Sequence, residues 1–269
     1  PDGRAVEQVS PVEKSGYDGD KGPVIARPDG EAAIYASIGA FSGSGAGAFE
    51  STYAASRAGS SGVSEGLAAP VDPSPELITG KVMGASGNFS RQLVATNARL
   101  TPPAIEGDAS AVTIYVHDSL TGTYTYVATS HAIVNGSGII MDGPQGQFYF
   151  QAVFAGASAG GTSFVFSTRS DALGTDPDGV AGIGDGPPKL YAVDGESGSL
   201  SYVGVLPDSA PAVGSRAAGG SNGNYPSPLR PVSEDGRSVY WTDRGPLYLR
   251  LNPTAPESPR LHGAASGKG

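Results

Sequence analysis

Residues 231–252 read PVSEDGRSVYWTDRGPLYLRLN: strand, Asp-Gly turn, strand, short Gly-Pro turn, strand. Asp235 and Gly236 supply the positive backbone dihedrals that a tight hairpin needs. The flanking runs alternate apolar with polar side chains, so the stretch predicts a small antiparallel meander. Weaker copies lie upstream. The first is 23–37 (PVIARPDGEAAIYAS). The second is 82–102 (VMGASGNFSRQLVATNARLTP), followed by 112–118 (VTIYVHD) and 123–128 (TYTYVA). The third is 148–173 (FYFQAVFAGASAGGTSFVFSTRSDAL), followed by 189–194 (KLYAVD) and 200–206 (LSYVGVL).

Aligned, the copies place Arg27, Ser86, Ser158 and Ser233 at one position before the turn. The pairs Ile114-Tyr115, Leu190-Tyr191 and Leu247-Tyr248 mark a shared third strand. A fixed strand order with variation confined to loops is the pattern of a radial repeat. A three- or four-stranded unit cannot bury both faces alone, so neighbouring units must stack. The expected fold is all-β: one β-propeller domain over 1–269, with four antiparallel blade repeats at about 23–70, 80–130, 148–207 and 227–262. It forms either a small closed ring or part of a larger one. The Gly-, Ser- and Ala-rich 40–66 reads as a decorated connection within the first blade, with strands near 51–56 and 62–67. Residues 4–11, a strand without a nearby partner, are candidates to close the ring by pairing with the last blade and hiding two edges.

Composition narrows the function classes. Gly and Pro supply 41 and 22 of 269 residues, yet the apolar residues are patterned, which fits a turn-rich β protein. A net charge of −9 with 17 Lys and Arg and no basic patch argues against nucleic acid. The absence of cysteine excludes disulfides, thiolate metal sites and a Cys nucleophile. The most apolar run, 148–159, is far shorter than the ~20 residues of a spanning helix, so no membrane span is expected. The chain begins at Pro1 with no leader, which predicts a processed chain or a piece of a longer one. Low charge and many Gly, Ser, Thr and Tyr lean toward an exported or cell-surface protein.

The 1–18 stretch PDGRAVEQVSPVEKSGYD, the turns PDGEAAIYAS and SEDGRSVYWT, and the LYxxD…TG/SG…LxxV hairpins resemble the TolB-like, WD-repeat-like propellers of bacteria, in particular exported proteins of actinobacterial type. The resemblance covers most of the chain outside 40–66 and the last dozen residues. It implies a binding or scaffolding platform. Two features depart from the pattern. Four copies are legible where such propellers commonly have six or more blades, and Thr242 separates Trp241 from Asp243, so no WD dipeptide is present.

Several motifs suggest chemistry. Gly156-Ala-Ser158-Ala-Gly160 matches a nucleophile elbow, but a strand rather than a helix follows, and alignment with Ser86 and Ser233 makes it a hairpin turn. His117, His131 and His262 lack a ligand-spaced partner, and His117 and His131 read as exposed. Asp118 and Asp194 each lie three residues after the shared Tyr. They could act as an acid–base pair in glycoside hydrolysis, but Asp at the start and Gly near the end of a turn explain both. Asp176, Asp178 and Asp185 offer oxygen ligands for a calcium-type cation, without the full set of an EF-hand loop. Asn88 and Asn135 open glycosylation acceptor triplets. The expected function is a non-enzymatic module that binds a protein or polysaccharide, or self-assembles. The alternative is a carbohydrate-active hydrolase or lyase with carboxylates on the propeller face.

Overall fold

The computed structural model describes residues 8, 10–17, 25–41, 50–58, 61–67, 80–96, 98–101, 113–129, 152–168, 189–212, 214–217 and 230–255. Among these residues the chain is all-β, in four antiparallel sheets. The first sheet holds β1 (Ile25–Ala26), β2 (Ala32–Ile38), β3 (Glu50–Ala58) and β4 (Ser61–Gly66). The second holds β5 (Gly80–Ala85), β6 (Arg91–Thr96), β7 (Thr113–Asp118) and β8 (Thr123–Thr129). The third holds β9 (Ala152–Ala157), β10 (Ser163–Thr168), β11 (Lys189–Asp194) and β12 (Leu200–Tyr202). The fourth holds β13 (Arg216–Ala217), β14 (Ser238–Thr242) and β15 (Leu247–Leu251). Each is a meander in chain order. We number them units 1 to 4. β3 and β4 fall where strands were expected within 40–66.

The repeat is visible in individual hydrogen bonds. In each unit the N–H of the residue before the turn donates to the carbonyl five residues on: Arg27 to Ala32, Ser86 to Arg91, Ser158 to Ser163 and Ser233 to Ser238. The N–H three residues on bonds back, from Gly30, Phe89, Gly161 and Gly236, and all four take a positive φ. A second tie joins the first turn to the end of the third strand. The N–H groups of Arg57, Ser119, Gly195 and Asn252 donate to the carbonyls of Glu31, Ser90, Thr162 and Arg237. Four residues before each of these donors stands a tyrosine: Tyr53, Tyr115, Tyr191 and Tyr248. The tyrosine hydroxyls in units 1 and 2 serve a common purpose. Tyr53 accepts from Phe41 N–H at 2.7 Å and Tyr115 from Leu100 N–H at 3.2 Å, each holding the loop between the second and third strands.

The sheets stack face to face in sequence. Leu93, Ile114 and Val116 of unit 2 pack with Phe164, Phe166, Tyr191 and Val193 of unit 3. Val165, Leu190 and Ala192, on the opposite face of unit 3, pack with Val239 and Trp241 of unit 4. Val82, Val94 and Tyr115 meet Leu67 of unit 1. Trp241, eight residues after Ser233 as Val94 is after Ser86 and Phe166 after Ser158, thus fills the corresponding seat between units.

Close approach along the first strands depends on small residues. A Cβ on Gly84 would come within 2.3 Å of the Phe154 ring, and one on Gly156 within 3.0 Å of Val232. The extra residue of a bulge lies beside each glycine, since the register of β5 on β6 shifts between Val82 and Gly84, and that of β9 on β10 between Val165 and Phe166. In unit 4 the first strand is discontinuous, paired at Arg216–Ala217 and again at Val232. β13 pairs with Trp241 and Thr242 on one side of the break, and Val232 bridges Val239 on the other. That discontinuity is why the first strand of unit 4 reads poorly in sequence. Of the proposed closing strand at 4–11, residues 4–7 and 9 lie outside the described residues, while Gln8, Ser10 and Pro11 are not in a strand. The last run, 259–262, also lies outside.

Candidate functional site

The richest concentration of polar side chains lies where the first turns of units 2, 3 and 4 adjoin. Each turn serine is consumed by its own hairpin. Ser86 Oγ accepts from Arg91 N–H at 3.1 Å, Ser158 Oγ from Ser163 N–H at 3.0 Å, and Ser233 Oγ from Ser238 N–H at 3.0 Å. Two residues on, Asn88 and Asp235 accept from the serine hydroxyl at 2.8 and 2.6 Å, and from the next turn N–H at 3.1 and 3.0 Å. Unit 3 has Gly160 at that position, and the Thr162 hydroxyl pairs instead with the Ser158 hydroxyl at 3.0 Å. The Ser233 hydroxyl, followed by the Arg237 N–H, holds Asp235 below the usual carboxylate range.

Neighbouring turns are joined through their backbones. Gly87 N–H and Asn88 N–H donate to the carbonyls of Ser158 and Ala159, and Ala159 N–H donates to that of Glu234. Side-chain packing repeats the step. A Cβ on Gly161 would lie 2.8 Å from that of Arg91 and 3.1 Å from that of Ser86, and a Cβ on Gly236 2.8 Å from that of Ser163 and 3.1 Å from that of Ser158.

Asp118 and Asp194 begin the turns after the third strands. Asp118 Oδ1 accepts from the N–H groups of Leu120 and Thr121 at 3.0 and 3.2 Å, and Asp194 Oδ1 from those of Glu196 and Ser197 at 3.1 and 2.8 Å. Gly122 and Gly198 close the turns at positive φ, donating to the carbonyls of the same two aspartates. The Thr121 N–H, helped by the Arg91 guanidinium, lowers the pKa of Asp118. Burial pushes Asp194 upward, but the Ser197 N–H and hydroxyl and the Glu196 N–H outweigh it, so its net shift is also downward.

Arg91 connects the two units. Its Nε lies 3.2 Å from Asp118 Oδ2, and its Nη1 lies 4.0 Å from Glu196 and 3.5 Å from the Gly161 carbonyl. It also lowers Asp194 electrostatically. Sequence reading missed this residue. Its signal was a long cation at an aligned position where the other units carry Ala32, Ser163 and Ser238.

Ser158, the elbow candidate, is buried in a hairpin with β10 after it, which is turn chemistry and not a strained strand-to-helix junction. His117 is half-buried rather than exposed. Its Nδ1 lies 2.8 Å from Gln92 Oε1 and its ring stacks on Tyr124 at 4.4 Å, so burial lowers its pKa despite Asp118. His131, His262, Asn135 and the calcium candidates Asp176, Asp178 and Asp185 lie outside the described residues. Among the described residues no three His, Asp or Glu side chains converge as metal ligands, and no helix is long and apolar enough to cross a membrane. No family model matches the chain, and no curated protein matches it.

Proposed function

We propose that the chain is an exported or cell-surface β-propeller of the TolB-like, WD-repeat-like kind, and that it acts as a non-enzymatic platform for binding a protein or polysaccharide or for assembly. One observation carries the reading: the same turn, with the same backbone bonds, recurs in all four sheets, and backbone bonds join the turns of units 2 and 3 and of units 3 and 4. Stacked units of this kind are the building plan of propellers, which present turns and loops on their faces as contact surfaces. The acidic composition and numerous Tyr, Ser and Gly residues agree with an exported surface.

The alternative is a carbohydrate-active hydrolase or lyase. It draws on Arg91, which pairs with Asp118 at 3.2 Å and lowers Asp194 of the neighbouring unit electrostatically. The electrostatics favour the binding reading. A glycosidase general acid needs a raised pKa, whereas both aspartates are shifted down and accept turn N–H groups. The test is a pull-down of the purified chain on chitin, cellulose and peptidoglycan, with released reducing sugar measured in parallel. Retention without reducing-end release is expected. Release that disappears in Asp118→Asn and Asp194→Asn would assign the chain to the enzyme class instead.

A further inference from the structure

Units 2, 3 and 4 are locked together at their turn ends. The N–H groups of Gly87 and Asn88 in unit 2 donate to the Ser158 and Ala159 carbonyls of unit 3, and the Ala159 N–H donates to the Glu234 carbonyl of unit 4. Arg91 adds a charged tie from unit 2, 4.0 Å from Glu196 of unit 3. Apolar packing is continuous across both junctions. One cluster runs from Leu93 and Val116 to Phe164 and Val193, and another from Val165 and Leu190 to Val239 and Trp241.

The junction of units 1 and 2 lacks these parts. No backbone bond joins the first turn of unit 1 to that of unit 2, although both turns lie wholly among the described residues. Unit 1 pairs Arg27 with Asp29 and Arg57 with Glu31, inside its own sheet. Its aromatic core is separate too. Tyr35, Phe41, Tyr53 and Ala55 form their own cluster, in which Tyr53 stacks on Phe41 at 4.4 Å and on Tyr35 at 5.6 Å. Unit 1 meets the clusters of the other units through Leu67 and Ile25, both only partly buried.

Two residues mark the difference. Two positions before the turn residue, units 2 and 3 carry Gly84 and Gly156, which admit the next unit closely, while unit 1 carries Ile25. Three positions after it, units 3 and 4 carry Gly161 and Gly236, where a Cβ would already fall 2.8 Å from that of Arg91 or Ser163 in the preceding unit. Unit 2 carries Phe89 there, at φ 62°. A benzyl side chain has no room at that distance, so the turn of unit 2 stands further from unit 1 than the later turns stand from their neighbours. Phe89 joins none of the described apolar clusters. Its left-handed backbone is strained for an L-residue and is held from within unit 2: its N–H donates to the Ser86 carbonyl at 3.0 Å, and its carbonyl accepts from the Ser119 hydroxyl at 3.0 Å and from Gln92 Nε2 at 3.3 Å.

We propose that units 2, 3 and 4 move as one body in the native protein and that unit 1 swings against them, at a seam whose turn end Phe89 wedges open. A seam without directional bonds opens at lower free energy than one that has them, and whole bodies turning about such a seam are the usual form of hinge motion. The gap at the turn end is then the adjustable part of the binding platform. The inference rests on the stacked-unit reading of the fold proposed above.

The chain has no cysteine, so spin labels can be placed at chosen sites. Pro28, Leu120, Gly160 and Glu234 are exposed, one on a turn of each unit. Double electron–electron resonance on Pro28→Cys/Gly160→Cys measures unit 1 against unit 3, across the seam. On Leu120→Cys/Glu234→Cys it measures unit 2 against unit 4, across the two locked junctions. The first distance distribution should be the broader. Adding Phe89→Gly, which removes the wedge and suits the left-handed φ, should narrow it to the width of the second. Equally narrow distributions in the chain that keeps Phe89 would overturn the proposal and leave the stacked-unit reading intact. A broad first distribution that Phe89→Gly fails to narrow would overturn it as well, since the looseness would not originate at Phe89. Breadth in both pairs would remove the stacked-unit reading and the proposal with it.

Discussion

At the scale of single residues, Gly236 is constrained twice. Its φ of +74° lies in the left-handed region, and a Cβ there would fall 2.8 Å from that of Ser163 in the preceding unit. Gly122 isolates the first constraint, since its φ is +69° and nothing among the described residues lies within 4 Å of a Cβ. A left-handed conformation costs an L-residue roughly 1–2 kcal/mol, and overpacking a tight contact adds roughly 1–3 kcal/mol. Gly122→Ala should therefore lower unfolding free energy by about 1 kcal/mol and Gly236→Ala by about 3, measured by urea denaturation. Equal losses would mean that unit 4 does not press on unit 3. The aligned Asp-Gly and Pro-Asp-Gly copies revealed the first constraint in the sequence. The second could not be read, because it depends on which unit stacks behind the turn. Phe89 shows the same limit from the other side: it adopts φ 62° at the aligned position with no glycine to announce the turn.

At the scale of elements, the turns after the third strands account for the two aspartates most suggestive of catalysis. Each carboxylate satisfies two turn N–H groups that would otherwise compete for water, and the opening Asp with the closing Gly made this legible. The contribution is pH-dependent with a definite sign. Because the folded pKa values of Asp118 and Asp194 are depressed, the unfolded chain binds more protons in acid. The stability they confer is complete above the unfolded carboxylate range near ~4 and is lost as pH falls through the lower folded values. Asp29, lowered to about 2 chiefly by its bond from Arg27, acts in the same direction. Urea midpoints should fall steadily from pH 5 to pH 2. Replacing Asp118 and Asp194 together by Asn keeps a neutral acceptor in each turn and should shallow that slope. An unchanged slope would show that the turn carboxylates are not what acid titrates.

At the scale of the molecule, strand periodicity and turn chemistry are local, and they exposed the number and order of the units. Closure is not local. Of the 4–11 segment expected to close the ring, only Gln8, Ser10 and Pro11 are described, and they lie outside any strand, while unit 4 exposes Leu247, Leu249 and Leu251. In stacked repeats each unit draws stability from its neighbours, so one with a single junction is the weakest. Trp241 reports on this directly: it is the only tryptophan, and it is buried between units 3 and 4 against Tyr248 at 4.6 Å. In dilute protein its emission should shift red at lower urea than the loss of β-sheet circular dichroism, because unit 4 detaches first. Coincident midpoints would mean that unit 4 unfolds as one with the rest.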